Sequence, residues 1–119
     1  MTEIQNEKRY DLGGRTFRFA ERALRYFNSL PKTPANTEVA KQGIRAAGSI
    51  GANYIEADEA LSKKDFVMRM KISRKEAKEE IYWLRLSKPG ASQESERAAL
   101  IQEATELMKI FGSIISKSA

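Results

Sequence analysis

The segment from Glu38 to Ala57 constrains the fold more than any other, because it has helical periodicity and yet carries three glycines, Gly43, Gly48 and Gly51. It contains no proline. Its small and apolar residues recur on two helical lines, Ile44, Gly48, Gly51, Ile55 and Gly43, Ala47, Ile50, Tyr54. Each glycine inside a helix costs ~1 kcal/mol relative to alanine, so about 3 kcal/mol must be offset by packing. Close approach of helix backbones is the natural source, and it predicts tight contacts at Gly48 and Gly51. A further line is polar: Arg45, Ser49, Asn53 and Glu56 fall at i, i+4, i+8 and i+11. A helix that is small or apolar nearly all round is covered on several sides. One four-helix domain cannot supply that much cover, so a second subunit is expected.

The flanking segments give three more helices. The first is expected over 12–30, capped by Asp11 or Thr16, with Phe19, Ala23, Tyr26 and Leu30 on its apolar line and Phe17, Leu24 and Phe27 widening it. Leu30-Pro31-Lys32-Thr33-Pro34 ends it, since proline disfavours helical geometry in the residue before it. The second runs over 37–57, with Asn36 or Thr37 as its cap. Ser62-Lys63-Lys64-Asp65 approximates a capping box and opens a third helix over 63–87, where Phe66, Met70, Ser73, Ala77, Glu80 and Leu84 share a line. Lys88-Pro89-Gly90-Ala91 is a tight connection, and Ser92 caps a fourth helix over 93–117 with Leu100, Ala104, Leu107, Phe111 and Ile114 facing inward. All three prolines lie between helices and no segment alternates like a strand. The fold class is therefore all-α, an up-down-up-down antiparallel four-helix bundle forming a single domain over 1–119.

Composition removes most chemistry. The chain has no cysteine, which excludes disulfides, thiol catalysis and the common zinc sites. It also has no histidine, which removes the usual general base and the Glu-x-x-His ligands of di-iron bundles. The expectation is a protein without cofactor, metal or catalytic function. No apolar run approaches the ~18 residues of a membrane span. The leader Met1 to Tyr10 is polar, charged and expected to be flexible, not a secretory signal, so a cytoplasmic protein is expected.

The formal charge is +5, and it is unevenly placed. Residues 8–32 hold seven lysines and arginines against two acids, residues 62–88 hold nine against four, and the rest of the chain is acidic. Arg15, Arg18, Arg22 and Arg25 follow one side of the first helix, with only Glu21 as a nearby acid on that segment. Lys71, Arg74, Lys78 and Arg85 share a line on the third. Such stripes suit a polyanion, and the planar arginine fork makes the first helix the principal phosphate-contacting surface and the third a weaker one. Binding of this kind is largely independent of sequence.

Several stretches together resemble a known family. They are Ser29-Leu30-Pro31-Lys32-Thr33-Pro34, Gly43-Ile44-Arg45-Ala46-Ala47, Ser49-Ile50-Gly51-Ala52-Asn53, Ser62-Lys63-Lys64-Asp65-Phe66, Lys75-Glu76-Ala77-Lys78-Glu79 and Tyr82-Trp83-Leu84-Arg85-Leu86. In order and spacing they resemble the four helix bundle proteins, also called the 23S ribosomal RNA intervening-sequence proteins. The resemblance implies a homopentameric ring, no enzymatic activity and an association with RNA or DNA. Accessory proteins of diversity-generating retroelements are similar in fold, which adds a reverse transcriptase as a partner. Tyr54, Ala57 and Gly13-Gly14 depart from the family pattern.

Alternatives accompany the sharper readings. The Arg45, Ser49, Asn53 and Glu56 line reads as a structural network or interface, with Arg45 pairing across to Glu76 or Glu79, before it reads as a binding site. Glu56, Asp58, Glu59 and Glu76, Glu79, Glu80 offer carboxylates for a hard metal but lack a partner motif. Tyr82 and Trp83 serve as packing residues or stack on bases. In function, a basic ring that binds nucleic acid stands against a structural adaptor that binds a protein partner and no nucleic acid.

Overall fold

Each connection between helices is built around a proline or a short polar turn, and this is what sets the helix ends. The computed structural model describes residues 11–118. Its elements are α1 (Leu12–Asn28), α2 (Pro34–Asp58), α3 (Lys63–Leu86), a short 3-10 turn (Ala91–Gln93) and α4 (Glu94–Ser118), with no strand among the described residues. The chain is an antiparallel four-helix bundle. α2 packs along α1 and α3, and α3 along α4, while α1 and α4 touch only lightly. The expected leader over 1–10 lies outside the described residues.

The helix starts depart from expectation in three places. α2 begins at Pro34, with Thr33 as its cap: the Thr33 hydroxyl accepts from the Asn36 amide at 3.1 Å, and proline is suited to the first helical position. Asn36 is freed for another task. Its side chain, 2% exposed, donates to the Pro31 and Lys88 carbonyls at 2.9 and 3.0 Å and accepts from the Lys88 amide at 3.0 Å, tying the α1–α2 connection to the α3–α4 connection. Asp11 makes no side-chain cap, and Thr16 is buried inside α1, donating to the Leu12 carbonyl at 2.8 Å. Ser92 lies within the 3-10 turn and does not cap α4; the Gly90 amide there donates to the Gln93 side chain at 3.1 Å. Ser62 caps α3 as expected, accepting from the Asp65 amide at 3.0 Å.

The core is filled by Phe19, Phe27, Ile50, Met70, Leu84, Leu100, Leu107 and Phe111, all buried. Two residues expected to widen the α1 core line do not: Phe17 is 64% exposed and Leu24 37%. They lie on the flank of α1 that carries Gly13, and Gly13 meets the Tyr54 ring on α2. On α4 the last inward position is Ile115, with Ile114 only half-buried. The helix contacts of α2 are made by Gly43, set against the Phe27 ring, and Gly51, set against Thr16. Gly48 is a correction: a Cβ placed there meets no heavy atom within 4 Å. Gly48, Ala52 and the 60% exposed Ile55 thus form a face on α2 that no other described residue covers. No described helix is long and apolar enough to cross a membrane.

Candidate nucleic-acid interface

Antiparallel packing places the arginines of α1 opposite the acids of α4. Arg15 donates from Nε and Nη2 to both oxygens of Glu103 at 2.7 and 2.9 Å, and from Nη2 to Glu106 at 2.9 Å. Arg22 grips Glu96 in the same two-pronged way at 3.1 and 3.0 Å. Arg15 to Arg22 and Glu96 to Glu103 are both seven residues, two helical turns, so the pairs close like rungs. Hydrogen bonding to Glu103 and to Glu96 holds both guanidinium pKa values above their ordinary value against the opposing effect of burial. Arg18 reaches Asp11 at 2.8 Å. Only Arg25 of the four has no carboxylate partner among the described residues. Arg15 and Arg22 thus work as a structural zipper between α1 and α4, while Arg18 and Arg25 stay exposed. The partners on α4 lie 74 to 91 residues along the chain, which is why local charge counting does not find them.

α3 differs. Lys71, Arg74, Lys75, Lys78 and Arg85 are all exposed, and none of their side chains makes an ion pair or hydrogen bond among the described residues. Lys71, Arg74, Lys75 and Lys78 include several like-charge pairs at i+3 and i+4, each costing roughly 0.2–0.5 kcal/mol. A helix interior gains nothing from that arrangement. Extended through Lys64 and Arg85 the stripe covers ~32 Å of helix, most of the 44 Å length of the molecule. Lys64 and Lys75 extend the stripe, falling on its face at seven- and four-residue intervals from Lys71.

The polar line of α2 faces α3. Arg45 Nη2 lies 2.6 Å from Glu79 and 3.3 Å from Glu76. Burial opposes the Arg45 charge, but attraction to Glu76 and Glu79 prevails and raises its pKa. Asn53 donates to the Ser49 carbonyl at 2.9 Å and accepts from Arg69 at 3.3 Å, and Arg69 sits 4.0 Å from Glu56. These residues form a seam between α2 and α3. Trp83 joins it, donating from Nε1 to Glu79 at 3.1 Å. Its neighbour Tyr82 is 56% exposed and meets the Trp83 ring edge-on, centroids 5.0 Å apart. No group of three or more acidic side chains among the described residues is placed to hold a metal ion.

Two further polar groups lie away from the basic stripes: Arg97, which the sequence did not single out, and Glu80, which it placed on the core line of α3. Arg97 donates to the Arg85 and Leu84 carbonyls at 3.2 and 3.4 Å, satisfying free acceptors at the end of α3 while pairing with Glu94 at 2.8 Å. Glu80 is fully buried, and neither carboxyl oxygen has a hydrogen-bond partner among the described residues. Burial pushes its pKa up to about 9, only partly countered by Arg45 and reinforced by Glu76 and Glu79.

Known proteins agree with this architecture. The family model of the 23S rRNA-intervening sequence protein matches residues 8–113. A solved structure from Bacteroides thetaiotaomicron, described as a protein with unknown function from the S23 ribosomal protein family, is 31% identical, with a TM-score of 0.72. The match covers 87% of this chain and 94% of that one. A comparison with curated proteins gives no match. With its bundle fold and nearly the whole described chain matched, the protein belongs to the 23S rRNA-intervening sequence protein family.

Proposed function

We propose that this chain is a non-enzymatic subunit of a homo-oligomeric ring that binds nucleic-acid backbones through its α3 faces without sequence preference. The observation that carries the reading is the α3 stripe: exposed lysines and arginines, mutually repelling and unpaired among the described residues, whereas on α1 Arg15 and Arg22 are matched to carboxylates of α4. A polyanion relieves that repulsion and releases counterions on binding. Self-association rests on the uncovered face along the α1–α2 seam, where Phe17, Leu24, Ile55 and Gly48 are exposed beside the half-buried Ile44 and Tyr54. Several copies on one particle raise the effective concentration for a long chain of phosphates. The adaptor reading draws on the same apolar face, with a different protein as its occupant.

Light scattering at micromolar concentration is expected to give a mass near five times 13.5 kDa. A Cβ at Gly48 has open space around it among the described residues, so Gly48→Leu is expected to keep its helical content while losing mass. Generic RNA and DNA are both expected to bind, with affinity falling steeply over a salt series. A persistent monomer that binds neither polymer at low salt contradicts the proposal and favours the adaptor.

A further inference from the structure

Within the basic stripe of α3 there is one exposed aromatic ring, and it is placed in register with the charges. Lys71, Lys75, Lys78, Tyr82 and Arg85 follow one another at +4, +3, +4 and +3, a single helix face. Tyr82 is 56% exposed, and its hydroxyl makes no hydrogen bond among the described residues. Its ring is braced on one side by Trp83, edge-on at 77°, and Trp83 is in turn fixed through Glu79 to Arg45 on α2. The side chain is thus held as an open platform among cations.

Resting on the proposed nucleic-acid reading, we infer that the α3 face is a single-strand site, in which Tyr82 stacks on an unpaired base while Lys75, Lys78 and Arg85 hold the flanking phosphates. In a duplex the base faces are already stacked on one another and only the backbone is available to the stripe. In a single strand the bases are free, and every base has a π-face, so the stacking term adds to the electrostatic one without reading sequence. Cations at i−7, i−4 and i+3 argue against a subunit contact at Tyr82, since the cores of such contacts are depleted of lysine.

The test compares an unstructured single-stranded 20-mer with a duplex of the same length at one salt concentration. The chain has one tryptophan, so Trp83 emission reports directly on the neighbouring ring. The parent is expected to bind the single strand at least ~10-fold more tightly, with a change in Trp83 emission that the duplex does not produce. Tyr82→Ala is expected to bring the ratio close to one, and Tyr82→Phe, which keeps the ring, to restore it. Equal affinities in the parent, or a ratio that survives Tyr82→Ala, would overturn the inference and leave backbone binding standing. Loss of the oligomer in Tyr82→Ala, read by scattering, would overturn it in favour of a subunit contact. No binding of either polymer would overturn it together with the reading beneath it.

Discussion

Glu80→Gln is expected to stabilise the protein at pH 7 by about 3 kcal/mol. The carboxyl is fully buried, neither oxygen is hydrogen-bonded among the described residues, and burial raises its pKa from 4.5 to about 9. The folded state therefore keeps a proton that the unfolded chain releases above pH 4.5. For a carboxyl shifted upward, stability falls as pH rises: the loss starts near 4.5, deepens by about 1.4 kcal/mol per pH unit and levels off above 9. Glutamine is nearly the same shape and does not ionise. Urea denaturation at pH 5, 7 and 9 is expected to show a gap between variant and parent that is small at pH 5 and widens at each step. A constant gap, or a parent that is the more stable at pH 9, would mean that Glu80 is charged and partnered.

The largest expected loss comes from Gly43→Leu. A Cβ at this position would already collide with the Phe27 ring. That ring is 1% exposed and packs edge-on against Tyr26 at 5.2 Å. Tyr26 is itself held by a 2.6 Å hydrogen bond to Ser87, so the ring has little room to turn aside. Overpacking of this kind costs ~1–3 kcal/mol, sometimes more, and here about 3 kcal/mol is expected despite the gain in helix propensity. Gly48→Ala makes the contrast: with open space around it, alanine is expected to stabilise the protomer by up to about 1 kcal/mol. Thermal melts of the two variants check both signs. Similar melting of Gly43→Leu and the parent would show that α1 and α2 do not meet there.

The bundle was legible because no proline falls in a helix interior, because the polar turns fall between helical segments, and because α4 repeats its apolar residues at +4 and +3. Helix starts were less so. Pro34 looks like a breaker until the Thr33 cap shows it to be the first helical residue. Phe17 and Leu24 look like core residues because periodicity gives a face, not the position of the neighbouring helix. The same limit applied to the glycines: three were visible as costly, but only Gly43 and Gly51 face α1. Arg45 opposite Glu76 and Glu79 was readable because adjacent antiparallel helices bring matched stripes together. The pairing of Arg15 and Arg22 with α4 was hidden by chain separation, although the equal seven-residue spacings were there to be compared. Glu80 shared a line with Met70, Ser73, Ala77 and Leu84, which is the sequence signal of a buried acid.

The assignment of nucleic-acid binding to α3, away from the arginines of α1, is tested most directly by a pair of charge variants. One replaces Lys71, Lys75 and Lys78 by glutamine; the other replaces Arg18 and Arg25, which lie on the exposed side of α1. With both particles shown intact by scattering, affinity for a generic single-stranded RNA is measured across a salt series. The α3 variant is expected to bind more weakly at every salt concentration, with a log–log slope shallower by about 2, since each lost phosphate contact removes ~0.7 from it. The α1 variant is expected to keep the parent slope. An unchanged slope in the α3 variant, with the loss appearing in the α1 variant, would contradict the account.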